Sequence, residues 1–549
     1  MASPNHTRGA AGLFRRLWPV LALIAFCTPW FNIVRDNADS AGMLAHLHAF
    51  FLDADLLYDD EARALRMTPT FTFVTSQGVV SNHWPAGATW IQAPGYALGL
   101  LANRVLASTG IRLNPYGVVP LLAVRAFAML VLWRVGQAIA ARFTAATGSA
   151  RAGTVALLAW AVGTPLLYYA SEAPLRPHVW GFAVMAAFVL AWRERTWGTP
   201  LQRAVVLGSL VGLAAGIRPQ LAPAWLLVAE DVWTAKTDDR IRRLAVAAGC
   251  ATAWPLLHLR LQLWMYGGSL GDYAGPLTHH VRALMLSPYH GVLSWSPVIG
   301  FGFVAAARSA WLRERAGLLI AGLVLHQLWL DAGMRDIQAY AVLGTRTWSG
   351  GTSFGARKLL DALPLLLPST LSLAEAATRR GWGRALAAAV LALVVPAAGL
   401  HAAAFVDPET TAAVLDWPGL AVKLEGATSL QAWADAWGNR ALPLRALTAC
   451  ALVVATPLAV ASTRVQAGLH RASAQARIGV AIVLLLGGAL LAHVWLAVVM
   501  VRSDVTLADD PQRMAAARAW MHPAHEATVA RIPARHAAVR AILGDHAAP

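Results

Sequence analysis

Apolar runs of about 15–22 residues recur along the whole chain, separated by connections that carry arginine. About 20 apolar residues cross the hydrocarbon core of a bilayer as a helix, and backbone in that layer must satisfy its own hydrogen bonds. The pattern restricts the chain to an all-α polytopic membrane protein. Only 13% of its residues are charged, against about 25% in soluble domains. The runs predict about 13 transmembrane helices. They are Trp18–Val34, Val119–Val135, Ala152–Tyr168, Val179–Trp192, Ala204–Gly216, Leu221–Val232, Leu244–Leu261, Val292–Ala307, Ala316–Leu330, Leu359–Leu373, Ala385–Phe405, Ala446–Ala461 and Val480–Val501.

The basic connections give these spans an orientation. With the N-terminus inside, every inside connection is short and basic, among them Arg142 with Arg151, Arg193 to Arg203, Lys236 to Arg243, and Arg308 to Arg315. That is the positive-inside pattern. The long connections fall on the opposite face, the first of them at residues 35–118, and an odd span count puts the tail outside. Ala88–Leu106 is apolar enough to cross, but counting it would invert every later loop. It is therefore assigned to the interface or to a re-entrant segment. Leu221–Val232 and its predecessor are short for full crossings, and Arg218-Pro219 breaks the helix between them. The chain divides into residues 1–405, a C-terminal loop with two spans at 406–501, and a tail at 502–549. That tail is either an amphipathic helix on the membrane or a small solvated helix.

A net charge of +16 does not mark a nucleic-acid binder, because the arginines are scattered between apolar runs; orientation and anionic lipid account for them. The three cysteines (Cys27, Cys250 and Cys450) show no paired or metal-binding spacing. HExxH and GxGxxG are absent.

The unusual polar residues gather in the outer loops. Seven of the chain's 29 carboxylates fall within Asp36–Glu61. Asp39 lies five residues beyond the first span. Partial desolvation there raises a carboxylate's basicity and suits a general base; the alternative is a solvated loop acid. Asp53-Ala-Asp55 has a DxD spacing that can hold a divalent metal when both carboxylates share one side of a turn. His178 follows Tyr168, Tyr169 and Pro177 just outside a helix start, as a ligand or as a structural hydrogen-bond partner. Arg218, at membrane depth, requires a phosphate or an acid as its partner. In WSGGTSFGARKLLD, glycines precede Arg357 and Lys358 at a helix start, a plausible phosphate cradle or a basic membrane anchor.

Taken in order, these stretches resemble the GT-C superfamily of membrane glycosyltransferases, in particular the bacterial relatives of protein O-mannosyltransferases and aminoarabinose transferases. The resemblance is carried by DNADSAG…DADLLYDDE, NHWPAGATWIQAPGYALG, GTPLLYY with PH, GIRPQ, WMYGG, LSWSPV and WSGGTSFGARKLLD, over about residues 31–366. It implies transfer of a sugar from a polyprenyl-phosphate carrier to an extracytoplasmic glycan, lipid or protein at the bacterial cytoplasmic membrane. It places the catalytic acid at Asp39, with Asp36 as competitor and Asp53 or Asp55 as a second carboxylate. Arg218, Arg357 and Lys358 would hold the phosphate. His83, Tyr169, His178 and Trp348 complete the expected substrate contacts, and no metal is obligatory. Two rival readings remain at this level: a transporter or flippase for lipid-linked sugars, and a non-catalytic protein that binds polyprenyl carriers.

Overall fold

A computed structural model describes residues 38–65, 67, 72, 74–75, 77–82, 84–110, 118–171, 173–235, 238–267, 281–287, 291–333, 357–406, 474–510, 512–513, 515–517, 519 and 521. The expected spans Trp18–Val34 and Ala446–Ala461 lie outside these residues, as do Asp36, His83 and Trp348. Among the described residues the protein is helical, with a lone antiparallel bridge between Val74 and Val80.

The helices run in this order: α1 (Ala38–His48), α2 (Asp59–Ala64), α3 (Gly87–Ser108), α4 (Val118–Thr147), α5 (Ala150–Ala161), α6 (Leu166–Ser171), α7 (Pro177–Arg193), α8 (Pro200–Ile217), α9 (Trp225–Thr234), α10 (Arg240–Tyr266), α11 (Val281–Leu286), α12 (Val292–Trp295), α13 (Ile299–Trp311) and α14 (Gly317–Gly333). A 3-10 segment, Arg357–Leu366, leads into α15 (Leu367–Arg379) and α16 (Gly383–Val406). The chain then resumes with α17 (Ala474–Ile482), a π-helical turn and α18 (Gly488–Asp509).

Six described helical stretches are long and apolar enough to cross a membrane: Val119–Thr147, Pro200–Ile217, Arg240–Tyr266, Arg357–Arg379, Gly383–His401 and Ile478–Asp509. Several expected spans are shorter than the apolar pattern suggested. Ala152–Tyr168 is broken near Pro165 into α5 and α6, and Val292–Ala307 is broken at Pro297 into α12 and α13. Leu221–Val232 opens as a 3-10 turn, Pro219–Ala224, before the ten-residue α9. Proline supplies no amide hydrogen and its ring crowds the preceding turn, so hydropathy runs straight through these breaks while the helix does not. α3 is one continuous 22-residue helix despite Pro94. It buries Thr89, Gln92 and Asn103 and exposes Leu98, Leu101 and Val105. An apolar outer face over a partly polar inner one fits a lipid surround.

Small residues allow the closest packing. Gly208 and Gly212 of α8 face Ala247 and Ala251 of α10, and a Cβ at Gly212 would stand 2.7 Å from the Ala251 Cα. Such close approach is how membrane helices gain dispersion contacts where burial adds little. Basic connections assigned to one side meet at one end of this packing. Arg203, at the start of α8, pairs with Asp231 at 2.8 Å; Arg195 and Arg315 each reach Glu230 at 3.0 Å. Arg142 pairs with Glu194 nearby. At a rise of 1.5 Å per residue, the opposite end of α8, where Arg218 lies, is roughly 22 Å away.

Candidate functional site

The site forms at that opposite end, where α1 meets the start of the 3-10 segment. Gly42 lets the Trp84 ring lie directly on α1, since a Cβ there would penetrate the indole. Asn82 donates to the Gly42 carbonyl at 2.9 Å. The Trp84 carbonyl lies 2.9 Å from His46 Nε2, and His46 Nδ1 is 2.8 Å from the Tyr58 hydroxyl. So held, the Trp84 indole donates to Asp39 Oδ1 at 3.1 Å. Arg357 donates to the other carboxylate oxygen, and Arg176 Nε stands 3.7 Å from it. Arg176 in turn lies over the Tyr169 ring, 5.7 Å from its centroid. Gln92 donates to the Leu175 carbonyl at 2.8 Å and steadies the loop that carries Arg176.

A second cluster adjoins the first along the 3-10 segment. Arg218 Nη1 is 2.9 Å from both carboxylate oxygens of Asp361. It also lies 2.7 Å from His178 Nδ1 and donates to the Lys358 carbonyl at 3.2 Å. A guanidinium only donates, so Nδ1 accepts; this assigns the His178 proton to Nε2 and leaves the ring neutral. Arg218 caps α8 in extended backbone and Pro219 opens the following turn, the break foreseen from the sequence. His178 occupies the first turn of α7, directly after Pro177. Gly181, on the same helix, lets Asp361 approach, since a Cβ there would stand 2.8 Å from the Asp361 Cβ. Asp331, at the end of α14, is buried, accepts from Gln327 at 2.9 Å and interacts electrostatically with Arg218 and Lys358.

Asp39, Arg357, Lys358, Arg218, His178 and Tyr169 are therefore gathered in one region, although 318 residues separate Asp39 from Arg357. The enhanced basicity expected of Asp39 is not the resting state. Burial alone pushes its carboxyl up, but the Arg357 and Arg176 guanidiniums and the Trp84 indole together hold it well below the usual carboxylate range. The sequence reading missed Arg176, Asp331 and Asp361. Arg176 immediately precedes Pro177 and His178, and Asp361 closes WSGGTSFGARKLLD, but no spacing rule pairs them with Asp39 or Arg218.

Asp53 and Asp55 do not share one side of a turn. Asp53 closes a π-helical turn and its Oδ2 lies 2.9 Å from His48 Nδ1. Ala54 then takes a left-handed conformation, φ 57°. Asp55, beyond this reversal, accepts from the Leu57 amide at 3.0 Å and lies 3.8 Å from Arg513. The same arginine holds Asp59 at 2.7 Å, tying the segment after α18 to the acidic loop.

A cavity of about 120 Å³ lies between α4, α5, α13, α15 and α16. Its lining, including Phe143, Trp160, Val298, Leu366 and Val390, has no titratable side chain.

These helices and their apolar outer surfaces define the class, a helical membrane protein. No protein family, curated protein or solved structure matches the chain.

Proposed function

We propose that the protein is a membrane glycosyltransferase of GT-C type, which moves a sugar from a polyprenyl-phosphate carrier to an extracytoplasmic acceptor. One observation supports this above the others: a partly accessible carboxylate, Asp39, meets the cations Arg357 and Arg176 beside Arg218 and Lys358, at the end of the helices remote from the basic connections. A polyprenyl phosphate leaves readily, so the enzyme's task is to hold the phosphate and offer a base to the incoming nucleophile.

The resting pairing gives the site an order of events. A donor phosphate competes with Asp39 for Arg357 and Arg176. Drawn onto phosphate, these cations cease to hold down the carboxylate, whose burial then raises its affinity for a proton. Asp39 becomes basic only when the donor is present. The acceptor's hydroxyl or amine then gives its proton to Asp39 as it attacks the anomeric carbon, and the phosphate departs with the bonding pair. In-line displacement inverts the anomeric centre. Arg218, already paired with Asp361, acts mainly by positioning the segment that carries Arg357 and Lys358. The same reading includes the thirteen spans, a cytoplasmic N-terminus and an extracytoplasmic site in a bacterial cytoplasmic membrane.

A flippase would use polar groups near mid-membrane and often internal repeats; this cluster at one helix end favours the enzyme. The test is transfer of radiolabelled sugar from polyprenyl-phosphate donors in membranes. Asp39→Asn should lower turnover by about 10²-fold or more, and Arg357→Ala should weaken donor use more than acceptor use. Equal transfer by wild type and Asp39→Asn removes Asp39 as the base. A rise confined to the acceptor KM removes Arg357 as the phosphate ligand.

A further inference from the structure

Behind the candidate site, the acidic loop folds around a second group of side chains. α1 does not end regularly but passes into the π-helical turn Ala49–Asp53. In a regular α-helix, residues five apart point about 140° away from each other. The wider turn brings His48 and Asp53 to one side, with Nδ1 and Oδ2 2.9 Å apart. The left-handed Ala54 then reverses the chain, and α2 returns Glu61 to the same point, its Oε1 3.4 Å from His48 Nδ1. One ligand atom from each of the three residues lies within 4.8 Å of the others. Glu61 is fully buried; neither of its carboxylate oxygens makes a hydrogen bond of the usual geometry, and its neighbours include two further acids, Asp53 and Asp60. A buried carboxylate in that condition is costly unless a cation or a proton joins it.

We infer that His48, Asp53 and Glu61 form a binding site for a divalent first-row cation of the zinc type, which clips the acidic loop closed beneath α1. Donors about 2.0–2.1 Å from a tetrahedral zinc ion stand about 3.3 Å from each other. The two separations from His48 bracket that value, so binding needs only small movements. One imidazole and two carboxylates suit zinc better than magnesium or calcium, which favour all-oxygen sites. Two carboxylate charges balance the ion's own. Asp53 is partly exposed and gives the ion a route in, while His48 and Glu61 are buried. The cation's role is structural. By fixing α1 to α2 it fixes the helix that bears Asp39 and seats Trp84. The inference stands apart from the sugar-transfer reading, because neither Asp39 nor any phosphate-binding cation is a ligand.

The experiment uses the full chain, purified in detergent and stripped with a chelator. Zn2+ is titrated calorimetrically, with Mg2+ for comparison, and the thermal midpoint is followed in parallel. One saturable Zn2+ site per chain and a raised midpoint are expected, with no comparable effect of Mg2+. Glu61→Gln, which mimics the protonated acid, and His48→Gln should each weaken Zn2+ binding by at least about 10-fold; Asp39→Asn should keep it. A wild type with no saturable Zn2+ site overturns the inference and leaves a proton-sharing carboxylate pair. Unchanged binding in Glu61→Gln and His48→Gln overturns it too. Should either variant fail to fold, Co2+ added to wild type decides: visible absorption of a tetrahedral nitrogen–oxygen site supports the clip, and its absence refutes it.

Discussion

Asp361→Asn tests the innermost ion pair with almost no change of shape. The Asp361 side chain is 1% exposed and that of Arg218 9%. At an effective dielectric near 20 and a charge separation of about 4 Å, their attraction is worth about 4 kcal/mol. Asparagine still accepts from Arg218 but leaves the guanidinium beside a neutral His178 without its counter-charge. Breaking a buried pair from one side costs about 3–5 kcal/mol. In a chain of this length each kcal/mol moves the thermal midpoint by about 1 °C, so a fall of about 3–5 °C is expected. The measurement is thermal unfolding in detergent for Asp361→Asn, Arg218→Met and Asp361→Leu, together with the double variant Arg218→Met/Asp361→Leu. The double variant should unfold closer to wild type than either of its single parents, because it leaves no stranded charge. Additive losses, or single variants within about 1 °C of wild type, would show that the pair is neither buried nor coupled.

Gly42→Ala drives a methyl into the Trp84 ring. Overpacking of this kind costs about 1–3 kcal/mol, and it should also displace the indole from Asp39, seen as a change in tryptophan fluorescence; a variant indistinguishable from wild type would refute the contact. The depressed Asp39 carboxyl predicts a pH dependence of definite sign. A folded-state value below the ordinary 3.8 contributes stability that is present above 3.8 and lost as pH falls toward the folded value. The gap in thermal midpoint between wild type and Asp39→Asn should be constant above about pH 5 and begin to shrink only as the pH falls below about 4. A gap that widens on acidification would refute the depressed value.

Much of the architecture was legible because hydropathy and local backbone chemistry act over a few residues. The helical membrane class follows from the length of the apolar runs. The break at Arg218-Pro219 follows from what proline permits, while the helix expected to begin after His178 in fact begins at Pro177 and includes it. The connections bearing Arg195, Arg203 and Arg315, grouped together from the sequence, do meet at one end. The same hydropathy overstated the length of several helices, because it does not register the interruptions at Pro165 and Pro297.

Pairing required the tertiary structure. Asp39 and Arg357 were both singled out as residue types in suggestive places, yet their contact, and the arrival of Arg176 beside it, depend on how α1, α7 and the 3-10 segment pack. The DxD pair parts for the same reason: the π-helical turn sets Asp53 beside His48, and the left-handed Ala54 after it turns Asp55 toward Arg513. A sequence specifies which charges exist and roughly at which membrane face. Coulomb energy and desolvation depend on distances between atoms brought together from remote parts of the chain, so only the folded arrangement decides which charges neutralise one another.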